Sequence, residues 1–222
     1  MIQQLPLAVR LNDSATFDNF FAAGNETVLH DLQTISQEFI YLWGTSGTGK
    51  THLLQAACHA AGSGSAYLPL DDEAIVPEML DGMEQLALLC LDNVDVIVGD
   101  VAWETALFHL FNRVRDLDHR LIVSASMSPT ALPLQLADLK SRFSWGVSYQ
   151  LTELCDKDKV LAMQERAHRR GMHLPMEVAE YLLKRYPRDM VSLFELIERL
   201  DEGSLVAQRK ITIPFVRELL GS

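Results

Sequence analysis

GTSGTGKT, residues 44–51, is the stretch on which the reading of this 222-residue chain turns. It has the G-x-x-x-x-G-K-[ST] spacing of a phosphate-binding loop. FIYLW (39–43), just before it, is a short apolar run with β-branched and aromatic members and predicts a buried strand. HLLQAACHAA, just after it, predicts a helix. The glycines let backbone N–H groups curl around an anion without Cβ clashes, and the helix N-terminus adds the positive end of its dipole. In that arrangement Thr45, Ser46, Gly47, Thr48, Gly49 and His52 are expected to bind the nucleotide. Lys50 reaches the terminal phosphates, and the Thr51 hydroxyl holds Mg²⁺.

Composition bounds what such a loop can serve. The length suits one large domain, or a medium domain with a small appendage. An apolar fraction of 48% is that of an ordinary globular core, while a net charge of −11 and a pI near 5.0 argue against strong direct DNA binding. His168, Arg169 and Arg170 form a local basic cluster, read as a solvated helix end. Cys58, Cys90 and Cys155 are far apart, which points to a reducing compartment and to three small apolar fillers. The seven histidines are scattered, so no structural metal is expected. The start, MIQQLPLAV, has neither a basic opening nor a long apolar core, and no apolar run approaches the ~20 residues that span a bilayer. A cytoplasmic protein without membrane contact is expected.

The chain order reads as an α/β domain followed by helices. AYLPL (66–70) and LALLCLD (86–92) predict strands, the second almost continuously apolar, as suits a strand buried on both faces of a parallel sheet. Residues 101–117 carry Trp103, Leu107, Leu110, Phe111 and Val114 at helical spacing, and RLIVSAS (120–126) returns as a fourth strand. After a turn between Pro129 and Pro133, LADLKSRF predicts a helix leading into GVSYQL (146–151), a fifth strand. Beyond it the signals are helical. One helix is expected to open at Thr152 and end at Gly171, a second to begin at Pro175, a third to end at Gly203 and a last to run from Pro214 to Leu220.

A phosphate loop needs a carboxylate on a neighbouring strand for the Mg²⁺ shell, and Asp92, closing LALLCLD, is placed for it. The next position, where an acidic group would polarise the attacking water, holds Asn93, an amide that cannot take the proton. Asp95 is a substitute only from a turn, and is expected to point elsewhere. Arg142, in SRFSWG (141–146), keeps the company of Asp138, Lys140 and Ser141 and is expected to be exposed. From the residues alone it is either a surface cation or an arginine finger, the group that stabilises charge on a transferred phosphoryl.

TFDNF (16–20), the phosphate loop, LLCLDN, LKSRFSWG and KITIPFVRELL together resemble the AAA+ region of the bacterial replication initiator DnaA, over nearly the whole chain. The likeness stops where DnaA would continue into its helix-turn-helix domain, and DnaA's N-terminal extension has no counterpart. That plan is similar to the family of DnaA-related regulators that work with the sliding clamp to make DnaA hydrolyse its ATP. The resemblance implies an AAA+ α/β fold with a parallel sheet flanked by helices and a small C-terminal helical lid. Its boundaries are a clamp-binding segment at 1–14, a nucleotide-binding domain at 15–151 and a lid at 152–222. QLPLAV (4–9) resembles a clamp-docking peptide. An extended segment would set Gln4 in a polar notch and Leu5, Leu7 and Val9 along an apolar groove of the DNA polymerase III β subunit, and Pro6 favours that extended form.

Departures from the family pattern sharpen the expectation. The polar sensor at the end of the fourth strand corresponds to Ser126, and the second sensor, an arginine in the lid, to Val191, with Arg188 one turn earlier as a replacement. The base is expected near Phe20 and Asn25, with residues around Val178 and Leu182 closing it. The cradle of Lys50, Thr51 and Asp92 is whole while Asn93, Ser126 and Val191 are altered. Binding of ADP or another nucleoside diphosphate, or of ATP, with Mg²⁺ should therefore outlast turnover, and the chain should not be an efficient ATPase by itself. Arg142 would act in trans on DnaA-bound ATP, making the chain a negative regulator of replication initiation. A second copy of the chain is a further candidate partner. The alternatives are a stand-alone phosphate-loop ATPase or kinase and a helicase-loader type of AAA+ adaptor.

Overall fold

The computed structural model describes residues 15–34 and 38–221. The clamp-peptide residues Gln4, Leu5, Leu7 and Val9 lie outside them. The chain divides into two compact units, one through Thr152 and one comprising Glu153–Ser222.

In the first unit, α1 (Glu26–Thr34) precedes β1 (Phe39–Trp43), and α2 (Lys50–Ala61) follows the glycine loop. Then come β2 (Ser65–Pro69), β3 (Leu88–Asp92), α3 (Val101–Asp116), β4 (Arg120–Ala125), α4 (Ala137–Phe143) and β5 (Val147–Gln150). All five strands are parallel, in the order β2-β3-β4-β1-β5. Successive side chains of a strand alternate between faces, and both faces here are apolar. Phe39, Tyr41, Leu89, Leu91, Leu121 and Val123 pack with Leu110 and Phe111 of α3 and Leu139 of α4. Ile40, Leu42, Leu88, Cys90 and Ile122 pack with Val28 of α1 and with Leu53 and Leu54 of α2. This two-sided burial is why the strands read as unbroken apolar runs rather than alternating ones. Gly146 lies so close to β1 that an added Cβ would sit 2.5 Å from the Phe39 carbonyl oxygen, so only glycine lets β5 pair there.

The second unit holds α5 (Asp156–Arg169), α6 (Met176–Arg185), α7 (Met190–Ala207) and α8 (Ile213–Leu220). Met163, Leu182, Leu193, Ile197 and Val216 are fully buried in its core. Val178 and Leu182, expected to close over a base, are thus core residues. Two helix ends differ from expectation. α5 opens at Asp156 rather than Thr152, because the Thr152 backbone is held by Asn25 instead. α7 continues through Gly203 to Ala207, and Gly203 is the point where a Cβ would run into Leu219 of α8. The glycine there permits close packing rather than ending the helix. The expected basic cluster is neutralised locally: Arg169 pairs with Glu165, and Arg170 with Asp201 and Glu198. Cys155 is exposed just before α5, not a core filler, whereas Cys58 and Cys90 are buried. Among the described residues no helix is long and apolar enough to cross a membrane.

Candidate functional site

The glycine loop leaves β1 and enters α2 through three left-handed or near-extended glycines, Gly44 (φ 155), Gly47 (φ 81) and Gly49 (φ 93). Gly49 has no room for a side chain either, since a Cβ would stand 2.7 Å from the Phe20 ring. Thr48 closes the turn by donating its hydroxyl to the Thr45 carbonyl at 2.9 Å. Lys50 is buried and folds back over the loop, its Nζ donating to the carbonyls of Gly44 (2.7 Å) and Thr45 (2.9 Å). Burial lowers its pKa, opposed by the negative charges of Asp92 and Asp95.

Asp92, at the end of β3, is 1% exposed. Its Oδ2 accepts the Thr51 hydroxyl at 2.6 Å and the Tyr67 hydroxyl at 2.8 Å, and its Oδ1 accepts the Ser124 hydroxyl. Three hydroxyls from α2, β2 and β4 therefore converge on one carboxylate. Burial and Asp92 push the Tyr67 hydroxyl far above its ordinary pKa, so it stays a donor. Hard oxygen donors of this kind suit Mg²⁺. Thr51 and Asp92 would hold the ion, which when bound neutralises charge on the nucleotide phosphates. The glycine curl and the Lys50 ammonium would hold those phosphates.

The fourth-strand hydroxyl that meets Asp92 is that of Ser124, a contact distinct from the sensor role expected of Ser126. Ser126 lies just past β4, and its backbone N–H (3.2 Å) and hydroxyl (2.7 Å) both donate to Asp95. Asp95 is thus engaged by the loop after β4. Ser124, inside β4 and fully buried, touches Asp92 and also accepts the Asn93 N–H at 3.0 Å. A hydroxyl within RLIVSA was the available signal, since a buried hydroxyl needs a partner. Ser124→Ala should lower stability by about 1–2 kcal/mol, because it removes one acceptor and one donor from buried groups; urea unfolding would measure it, and an unchanged midpoint would contradict this role.

Asn93 itself has left-handed backbone (φ 60, ψ 46). Asparagine tolerates that conformation better than most residues. The site therefore has a conformational reason for the amide as well as a chemical one. Glu104, on α3, was not singled out by the sequence. It is 1% exposed, and its carboxylate accepts backbone N–H groups from Gly99 (2.9 Å), Gln135 (3.2 Å) and Leu136 (2.7 Å).

Of the residues assigned to the base, Phe20 packs against Gly49 and 5.5 Å from the His52 ring. His52 meets the Thr16 carbonyl at 2.9 Å. Asn25 is buried and pairs with Thr152 through both its amide nitrogen (3.1 Å) and oxygen (2.8 Å). That occupies the side chain as a clasp between α1 and the end of the sheet. In the helical unit, Arg188 pairs with Asp156 at 3.5 Å and Val191 is 65% exposed on α7.

Arg142, in the last turn of α4, is half-buried rather than exposed, with its guanidinium 6.0 Å from the Trp145 ring. After four intervening residues begins β5, the edge strand, which runs parallel to β1 with Ile40 opposite Val147 and Trp43 opposite Gln150. The phosphate loop follows Trp43. Arg142 and the chain's own loop thus stand at opposite ends of the same strand pair, separated by the strand length of roughly 13 Å and more.

A five-stranded parallel sheet in this order, with a phosphate loop after β1, a carboxylate closing β3 and a separate helical unit, makes the chain a P-loop protein of the AAA+ class. Residues 73–150 match the family model described as the bacterial DnaA ATPase domain, and residues 156–220 match that of the lid domain of Hda. The chain thus joins a region similar to the DnaA ATPase domain to one similar to the Hda lid. Its fold is similar to domain III of the Thermotoga maritima replication initiation protein DnaA (TM-score 0.79, 21% identity, 96% of this chain and 98% of that one). It is also similar to AMPPCP-bound DnaA from Aquifex aeolicus (TM-score 0.72, 28% identity, 88% of this chain and 67% of that one). A Thermotoga maritima RuvB variant shares the fold (TM-score 0.68, 17% identity, 93% and 71%).

Proposed function

We propose that the chain is a negative regulator of replication initiation that binds a nucleoside diphosphate such as ADP, with Mg²⁺, and stimulates hydrolysis of ATP held by DnaA. The observation that carries this reading is the position of Arg142 at the opposite end of the sheet from the chain's own phosphate loop. A cation placed there serves a nucleotide bound by another protein, and its neighbour Trp145 is 62% exposed for such a contact. The lid of the Hda kind supports the family role, and the AMPPCP-bound DnaA relative supports an adenine nucleotide.

The cis site supports binding ahead of turnover. Its Lys50, Thr51 and Asp92 are in place, but Asn93 offers no base to the attacking water. The segment Gln4 to Val9 would tether the chain to the sliding clamp, which places the regulator on DNA without a basic surface of its own. This work would take place in the cytoplasm, with DnaA and the clamp β subunit as partners and a second copy of the chain as a further one.

The test combines the purified chain, a DNA-loaded clamp and ATP-bound DnaA. Hydrolysis of the DnaA-bound ATP should rise when the chain and clamp are both present. Removing residues 1–10 should abolish clamp capture and stimulation together. Rapid ATP turnover by the chain alone, with no effect on DnaA, would instead make it an ATPase in its own right.

A further inference from the structure

The face that carries Arg142 also carries an aromatic group and a cavity that the nucleotide chemistry does not use. The Trp145 ring has the guanidinium of Arg142 6.0 Å from its centroid and that of Arg115, from the last turn of α3, at 5.4 Å. Beside it opens a cavity of about 240 Å³, with Phe111 and Val114 in its wall and Arg115, His119, Glu38 and Trp145 around it. Such a volume accommodates a large side chain.

Arg142 is so near Trp145 that any protein whose nucleotide meets this guanidinium must also cover the indole. A tryptophan exposed in the free chain and covered in a complex belongs to the residue type that most often anchors interfaces, particularly beside a pocket that admits a partner side chain. Arg115 adds direction. Its contact with Asp116, 3.4 Å long and open to solvent, is a weak surface pair. Its planar fork is free to take a partner carboxylate in preference.

We infer that Trp145, Arg115 and the adjoining cavity form the docking anchor for the same ATP-bearing partner on which Arg142 acts, receiving an apolar side chain next to an acidic residue. The inference rests on the proposed function. It separates two tasks on one face: Arg142 touches the reacting phosphate, and Trp145 holds the partner in place.

The test uses the full chain carrying Trp145→Ala, Trp145→Phe or Arg115→Glu, with ATP-bound DnaA and loaded clamp. Direct binding to DnaA and the concentration giving half-maximal stimulation are both measured. Trp145→Ala should weaken binding and raise that concentration about tenfold or more, with the maximal rate at saturation retained. Trp145→Phe should recover most of the loss, and Arg115→Glu should weaken binding too, its circular dichroism unchanged. Unaltered binding and half-saturation in Trp145→Ala overturn the inference, as does a fall in maximal rate alone, which would mean that the indole only steadies Arg142. Failure of the unaltered chain to bind DnaA would overturn the functional reading itself, and this inference with it.

Discussion

Replacing Arg142 with Ala should abolish stimulated hydrolysis of DnaA-bound ATP while leaving the fold, nucleotide binding and clamp binding intact. The expected loss is about 10³–10⁵-fold in the stimulated rate, the effect of an arginine finger on a developing phosphoryl charge. The fold should survive because Arg142 is half-buried and its main described neighbour is an exposed indole, a contact of about 0.5–1 kcal/mol. Nucleotide binding should survive because the guanidinium is at the far end of the β1–β5 pair from the phosphate loop. Arg142→Lys should recover little, since an ammonium cannot reproduce the planar two-pronged contact with phosphate oxygens. Single-turnover hydrolysis with saturating chain and clamp is the measurement, and undiminished stimulation by Arg142→Ala would remove the trans mechanism.

Lys50→Met should cost the chain its nucleotide while barely changing its stability. The Lys50 ammonium is buried against the carbonyls of Gly44 and Thr45, so the charge is poorly solvated and its pKa falls. Losing a charge-assisted contact to phosphate should weaken binding roughly 10- to 100-fold. The pH dependence follows from the same shift. Between the lowered folded pKa and the unfolded value of 10.5 the unfolded chain binds more protons, so nucleotide-free stability rises with pH across that window. Bound phosphate favours the charged form, so affinity should fall as pH climbs through the Lys50 pKa. Calorimetric titration of ADP and ATP at several pH values reads both effects. Similar affinity for the two nucleotides is expected, and a marked triphosphate preference would count against the diphosphate reading.

The parts of this site that repeat along the chain were legible in it. Strand, loop and helix around Gly44–Thr51 follow one another locally, and Asp92 ends an apolar run whose length and flanks mark a buried strand. What stayed hidden depends on strand order. Ser124 and Tyr67 meet Asp92 because β3 lies between β2 and β4, a neighbourhood that no periodicity encodes. Ser126 was read as the residue that ends the fourth strand, and the side chain that reaches Asp92 lies two residues earlier, at Ser124. Helix α1 escaped notice because only Val28 and Leu32 are buried along it, too few to make a clear stripe. Gly203 read as a stop because glycine usually ends helices, and here it admits Leu219 instead.

Glu104 gives the first unit a mechanical property. Its single carboxylate grips Gly99, in the segment that follows Asn93, and Gln135 and Leu136, which lead into the helix bearing Arg142. The two segments are 36 residues apart, yet Gln135 also donates directly to the Gly99 carbonyl at 3.3 Å. These contacts join the segment after Asn93 to the lead-in of α4 without passing through the sheet, so a displacement of one segment would be felt at the other.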